Sequence, residues 1–194
     1  MSRLLSAALL LCLLLVACSR GPIEFRNTDV TGATFGRQFT LNDHNGQPRS
    51  LADFRGKVVV IFFGYTSCPD VCPTALSKLA EVMKALGPEA EKLQVLFVSV
   101  DPERDTAARL KDFVPWFHPS FLGLHGDAAQ TKAVLEEFRV FSSRRDVGSQ
   151  LGYVLDHSSG VYVYDPAGHL RLYVRYSASV EDIVADIRQL LAGR

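Results

Sequence analysis

Long apolar runs are nearly missing from this chain of 194 residues. The one exception, Leu4 to Val16, spans 13 residues, short of the roughly 20 that a membrane-crossing helix needs. An excess of either charge is missing too. The 21 Lys and Arg residues face 21 Asp and Glu, with no basic block, so no nucleic-acid partner is expected. No internal repeat and no low-complexity segment occurs, which excludes solenoids and arrays. No G-x-S-x-G stands ready to make a serine a nucleophile. Methionine is scarce at two residues and cysteine at four, too few for a disulfide-stapled mini-domain. With 47% hydrophobic and 22% charged residues, the remainder is that of an ordinary globular domain with its own core.

The short apolar run follows Arg3 and ends in Leu15-Val16-Ala17-Cys18. A charged start, a short apolar centre and a small-residue end make a secretory signal. The ending resembles a bacterial lipobox, in which the peptide is cut before the cysteine and the cysteine carries lipid. Residues 1–17 are therefore expected to be a lipoprotein signal peptide, Cys18 the lipidation site, residues 18–36 a flexible tether, and 37–194 the folded domain. This places the domain outside the cytoplasm as a membrane-anchored lipoprotein, facing the periplasm or the outer face of the cytoplasmic membrane. Only Cys68 and Cys72 then remain in the domain. A lone bridge between such close neighbours would constrain the unfolded chain little, so a purely structural role explains the pair poorly.

The pattern along the domain alternates. Phe39 to Leu41, the turn at Asn45-Gly46 and Arg49 to Leu51 predict a hairpin. Lys57 to Phe63 and Leu93 to Val100 are β-branched and aromatic runs, predicting strands buried on both faces. Between them Leu76, Leu79, Met83 and Leu86 recur at helical spacing from Pro73 to Gly87. Asp105 is expected to cap a helix running to about Phe113. A short strand at Phe121 to Leu124 and a helix at Ala128 to Phe138 follow. Gly160 to Tyr164 and His169 to Tyr176 flank Asp165-Pro166-Ala167-Gly168, an antiparallel hairpin. Ser179 opens a last helix with Ile183, Val184, Ile187, Leu190 and Leu191 inward. This order predicts an α/β, thioredoxin-like fold with an N-terminal β-hairpin and one inserted helix.

The chemistry gathers at TSCPDVCPT, residues 66 to 74. Pro69 and Pro73 would each disrupt a helix holding both cysteines. The reading is a loop from Thr66, Cys72 at the N-cap and Pro73 as the first helical residue. The pair then lies beyond the carboxyl end of a central strand, where open α/β sheets bind ligands. A helix N-terminus favours a thiolate, and thiolates are both nucleophiles and soft-metal ligands. Position thus supports disulfide exchange, peroxide chemistry or metal binding without choosing. The spacing has one residue more than the C-x-x-C of thioredoxin-type enzymes, which leaves room for an ion. A third ligand is then expected, and soft sites often mix Cys with His. Of five histidines, His157 stands apart in Val154-Leu155-Asp156-His157-Ser158-Ser159, where Asp156 and Ser158 can orient its ring. Asp70, between the cysteines, is either a solvated turn residue or a support for the site. Val100 to Thr106 reads as a structural loop and helix cap. The several tyrosines near the end read as sheet residues.

Taken in order, GKVVVIFFGYTSCPDVCPTAL, VSVDPERDT and VLDHSSGVYVYDPAG resemble the Sco/SenC family of copper-binding proteins, over about Phe39 to Leu191. The resemblance implies a thioredoxin-like fold and copper, as Cu(I), Cu(II) or both, held by Cys68, Cys72 and His157. Asp70 and Asp156 are candidates to support the site from outside the ligand set. It further implies a metallochaperone that helps build the dinuclear copper centre of cytochrome c oxidase subunit II, supplied by an upstream copper donor or thiol reductant and tied to the membrane by the N-terminal lipid. The alternative is a thiol–disulfide oxidoreductase in which Cys68 and Cys72 are the redox pair, reducing the cysteines of the same or another exported target. The segment FTLNDHNGQPRSLADFRGK resembles peroxiredoxins, but those place a threonine three residues before the reactive cysteine. Here Tyr65 and Pro69 occupy those positions. A methionine-type copper carrier is excluded as well, because Met83 belongs to a helix core face.

Overall fold

The computed structural model describes residues 24–148 and 152–194. The expectations for residues 1–17 and for Cys18 lie outside the described residues. In chain order the strands are β1 (Thr28–Asp29), β2 (Leu41–Asp43), β3 (Pro48–Arg49), β4 (Val58–Gly64), β5 (Leu93–Ser99), β6 (Leu122–His125), β7 (Ser142–Asp146), β8 (Tyr153–His157), β9 (Val161–Tyr164) and β10 (Leu170–Val174). The α-helices are α1 (Val71–Leu86), α2 (Ala107–Phe113), α3 (Ala128–Glu137) and α4 (Val180–Leu191), with 3₁₀ turns at Leu51–Phe54 and Gly87–Lys92.

One sheet runs in the order β1-β10-β9-β4-β5-β6-β2-β3. Its centre is parallel, β4 with β5 and β5 with β6, while β9 lies antiparallel on the other side of β4. Every residue of β4 and β5 is buried. That is why β4 is an unbroken apolar run and β5 departs from one only at Gln94 and Ser99, whose side chains are hydrogen-bonded: neither face meets water. Helix α1 turns Cys72, Ala75, Leu76, Leu79, Val82, Met83 and Leu86 inward and packs against α4. The fold is the thioredoxin-like α/β arrangement that the element order implied.

Three boundaries differ from expectation. Helix α1 starts earlier, with Asp70 as N-cap, so Cys72 lies inside its first turn rather than capping it. Pro73 is tolerated there because the first-turn N–H groups have no partner within the helix. Thr106, not Asp105, caps α2, its hydroxyl accepting from Arg109 N. Residues 24–36 are not a loose tether. Asp186, 1% exposed, accepts from Arg26 N, Asn27 N and Asn27 Nδ2 at 2.8–2.9 Å, and β1 pairs antiparallel with β10.

The arm that carries His157 was unexpected as well. Strands β7 and β8 form a separate two-stranded antiparallel arm, pairing Ser142 with His157 at its base. Four of the five β7 residues are exposed.

Candidate metal centre

Strand β4 ends at Gly64, where Phe97 and Cys72 approach too closely for a side chain. The chain then turns through Tyr65 to Asp70 into α1, at the carboxyl end of a central strand, the usual ligand position in open α/β sheets. Cys68 sits half-exposed in this turn and Cys72 is buried. His157 ends β8 of the arm. These three residues offer Sγ, Sγ and a ring nitrogen, all within 4.8 Å of one another. Cys72 Sγ is 3.5 Å from His157 Nε2, and Cys72 N donates to Cys68 Sγ at 3.4 Å.

Burial and hydrogen bonding make the two thiols unlike. Hydrogen bonding from Cys72, then from His157 and the amides of Asp70 and Cys72, outweighs the penalty of burial and holds Cys68 at about 3. Cys72 is pushed well up by the same bond and by its own burial. The two shifts run in opposite directions and favour a thiolate at Cys68 beside a thiol at Cys72.

The imidazole is fixed on three sides. His157 Nδ1 lies 2.9 Å from the Ser158 carbonyl. A carbonyl only accepts, so Nδ1 carries a proton, and Nε2 is the ring atom that faces the sulfurs. Tyr65 and Phe62 meet the ring edge-on, with centroids 5.8 and 6.3 Å away. Asp156 does not orient this ring. Strand alternation turns it outward, where it pairs with Arg145 at 3.2 Å. Asp70 keeps its carboxylate in solvent, accepting at 3.4 Å from Thr74 Oγ1; its backbone amide, not its charge, reaches Cys68.

The loop at 101–106 does more than cap a helix. Asp105, 2% exposed, accepts from Thr66 N, Thr66 Oγ1 and Ser99 Oγ at 3.0, 2.6 and 2.7 Å. It thereby anchors the start of the cysteine loop to the end of β5. Burial pushes its carboxyl up, opposed by the bonds from Thr66 and Ser99. Asp101 and Arg104 reach the other side of the site, onto Tyr153 of the arm. An Asp in a polar loop gives no sequence sign of such burial; only the preceding Ser99-Val100-Asp101 run out of a buried strand points to it.

Two soft sulfurs and one borderline nitrogen suit a thiophilic ion bound at about 2.0–2.3 Å, and the observed separations fit one. Cys72 closes the inner side. A groove of ≈ 340 Å³ leaves the outer side open, lined by Tyr65, Pro69, Val71 and Leu155 with Asp70, Arg145 and Asp156 among the polar residues. Among the described residues no other group of three such ligands comes together.

A thioredoxin-like domain with an open Cys₂His cluster at its strand ends is a thiol protein built for a soft metal or for redox exchange. The family model described as SCO1/SenC matches residues 27–192, and the chain belongs to that family. The mitochondrial SCO2 homolog of Mus musculus is 42% identical over 157 residues, 80% of this chain and 62% of the mouse protein. The chain thus spans less than two thirds of that relative's length. The structure of Bradyrhizobium japonicum ScoI with copper bound is 38% identical, with a TM-score of 0.74 over 82% of this chain and 100% of that one. Yeast Sco1 with copper bound is 32% identical, with a TM-score of 0.75 over 84% and 91%.

Proposed function

We propose that this chain is a copper-binding metallochaperone that assists assembly of the dinuclear copper centre of cytochrome c oxidase subunit II. The observation that carries it is the meeting of Cys68, Cys72 and His157 donor atoms within 4.8 Å, in a family with copper-bound members. Copper is the cargo. Two thiolates and an imidazole suit Cu(I) as a three-coordinate ion; Cu(II) would add Asp70 or water. The exposed side of the cluster lets a recipient's thiolates engage the ion before the donor's thiolates release it. An upstream copper donor or thiol reductant completes the sequence.

The test is a Cu(I) titration of residues 19–194 with reduced thiols, beside His157→Ala. Tight 1:1 binding is expected. The variant should keep its fold and lose affinity by more than about 100-fold, above the range lost when only supporting groups are removed. Unchanged affinity in the variant would reject the three-ligand site.

A second reading is favoured by the thiolate at Cys68 beside the Cys72 thiol. Cys68 attacks one sulfur of a target disulfide and expels the other as a thiolate. Cys72, losing its proton, then attacks Cys68, and the target leaves with both cysteines reduced. This thiol–disulfide oxidoreductase role tolerates loss of His157, which separates it from the first.

The attachment belongs to the proposal as well. Cys18 carries the lipid after removal of residues 1–17, and the domain faces the periplasm or outer face of the membrane. No helix among the described residues is long and apolar enough to cross a membrane. Cys18→Ala should release the domain from the membrane fraction; continued association would reject the lipid anchor.

A further inference from the structure

We infer that Arg104 is a positioning residue for His157: it latches the β7–β8 arm in the place where the imidazole meets the two sulfurs. The inference rests on the Cys₂His reading of the site.

Among the described residues β7 and β8 pair only with each other. A lone two-stranded ribbon is marginal in water. The arm's place must therefore be set by contacts to the body of the domain. Beside the exposed Arg144–Glu103 pair at 3.2 Å, Arg104 supplies several of them at Tyr153, the first residue of β8. Its Nη1 donates to the Tyr153 carbonyl at 3.0 Å, and its guanidinium lies 3.6 Å from the Tyr153 ring centroid. Its Nε donates to Asp101 at 2.5 Å. The other Asp101 oxygen accepts from Tyr153 Oη at 2.7 Å. Tyr153 is thus held at its backbone, its face and its hydroxyl by one Arg–Asp pair.

The hold passes along the strand. Tyr153, Leu155 and His157 alternate onto one side of β8. The Leu155 N–H donates to Tyr65 Oη at 3.2 Å, and the Tyr65 ring lies under the Arg104 guanidinium at 5.6 Å while its edge meets His157. Arg104 therefore touches both rings that bracket the strand between Tyr153 and His157. The task needs a planar fork that stacks and bonds at once, which a lysine ammonium does not provide.

Arg104→Lys is the test, since it keeps a cation beside the buried Asp101. In the full chain, Cu(I) affinity should fall about tenfold, the lower bound for groups that hold ligands in place. In a His157→Ala background the same change should alter affinity by less than about twofold, because the ligand it positions is gone. In the metal-free protein, amide exchange at Leu155 should accelerate while the β4 and β5 amides stay protected. Should Arg104→Lys fail to fold, Tyr153→Phe removes only the hydroxyl bond to Asp101; an affinity loss of about fivefold is then expected, again confined to the His157 background. Unchanged affinity and exchange, or an equal loss with and without His157, would overturn the latch. If His157→Ala alone binds Cu(I) as the wild type does, the ligand reading fails, and Leu155 exchange alone decides whether Arg104 holds the strand.

Discussion

Gly64 leaves the space that the Cys72 sulfur fills: a Cβ on Gly64 would lie 2.9 Å from Cys72 Sγ and 2.7 Å from the Phe97 ring. Both neighbours are fully buried, so neither can swing away into solvent. Gly64→Ala should cost about 1–3 kcal/mol, the usual range for overpacking a core. It should also weaken Cu(I) binding by moving one ligand. Denaturant unfolding and a Cu(I) titration check the two effects. An alanine variant with wild-type stability and affinity would show that the close approach has no consequence.

The asymmetry of the thiols gives a pH signature. With Cys68 held at about 3, its thiolate is complete across the neutral range. Alkylation of the metal-free protein should modify Cys68 first, at a rate nearly level between about pH 5 and 8. An ordinary thiol would instead gain rate about tenfold per unit below about 8.5. Mass mapping after brief iodoacetamide treatment reads both site and slope. A rate that climbs with pH, or first modification at Cys72, would contradict the assignment of the thiolate.

Asp186 makes a third prediction. It is the buried carboxylate on which Arg26 and Asn27 hang. Asp186→Ala leaves those donors without their partner, at a cost of about 1–3 kcal/mol. Limited proteolysis should then cut within residues 24–36 well before the rest of the domain. Equal resistance in the two proteins would mean that β1 pairing alone holds the segment.

What the sequence disclosed followed the core. Strands β4 and β5 were legible because burial on both faces imposes nearly continuous apolar runs, and the inner face of α1 because burial on one face imposes a helical period. The cysteine loop was legible because two prolines restrict where a helix can start. The β7–β8 arm was not, because Ser142-Ser143-Arg144-Arg145-Asp146 has no apolar alternation to read, and its strand partner is set by distant contacts. His157 was singled out by its surroundings, but its role as ligand came from family resemblance rather than from spacing. Asp105 and Asp156 show the remaining difficulty. Each is an Asp in a polar segment, yet one is buried beneath the cysteine loop and the other points away from the imidazole. Short polar side chains carry no sign of direction until the strand register is known.

The docking of residues 24–29 onto α4 and β10 also sets a length. Under the proposed lipidation, five residues separate Cys18 from Glu24, and a fully extended chain over those six steps reaches about 20 Å. A tether running to residue 36 would have let the domain roam several times farther from the bilayer. If Cys18 carries lipid, the shorter leash would keep the docked Glu24 end of the domain within that reach of the bilayer. A membrane-bound recipient would then meet the domain by lateral diffusion in two dimensions, with the free length of chain set by where β1 pairs with β10.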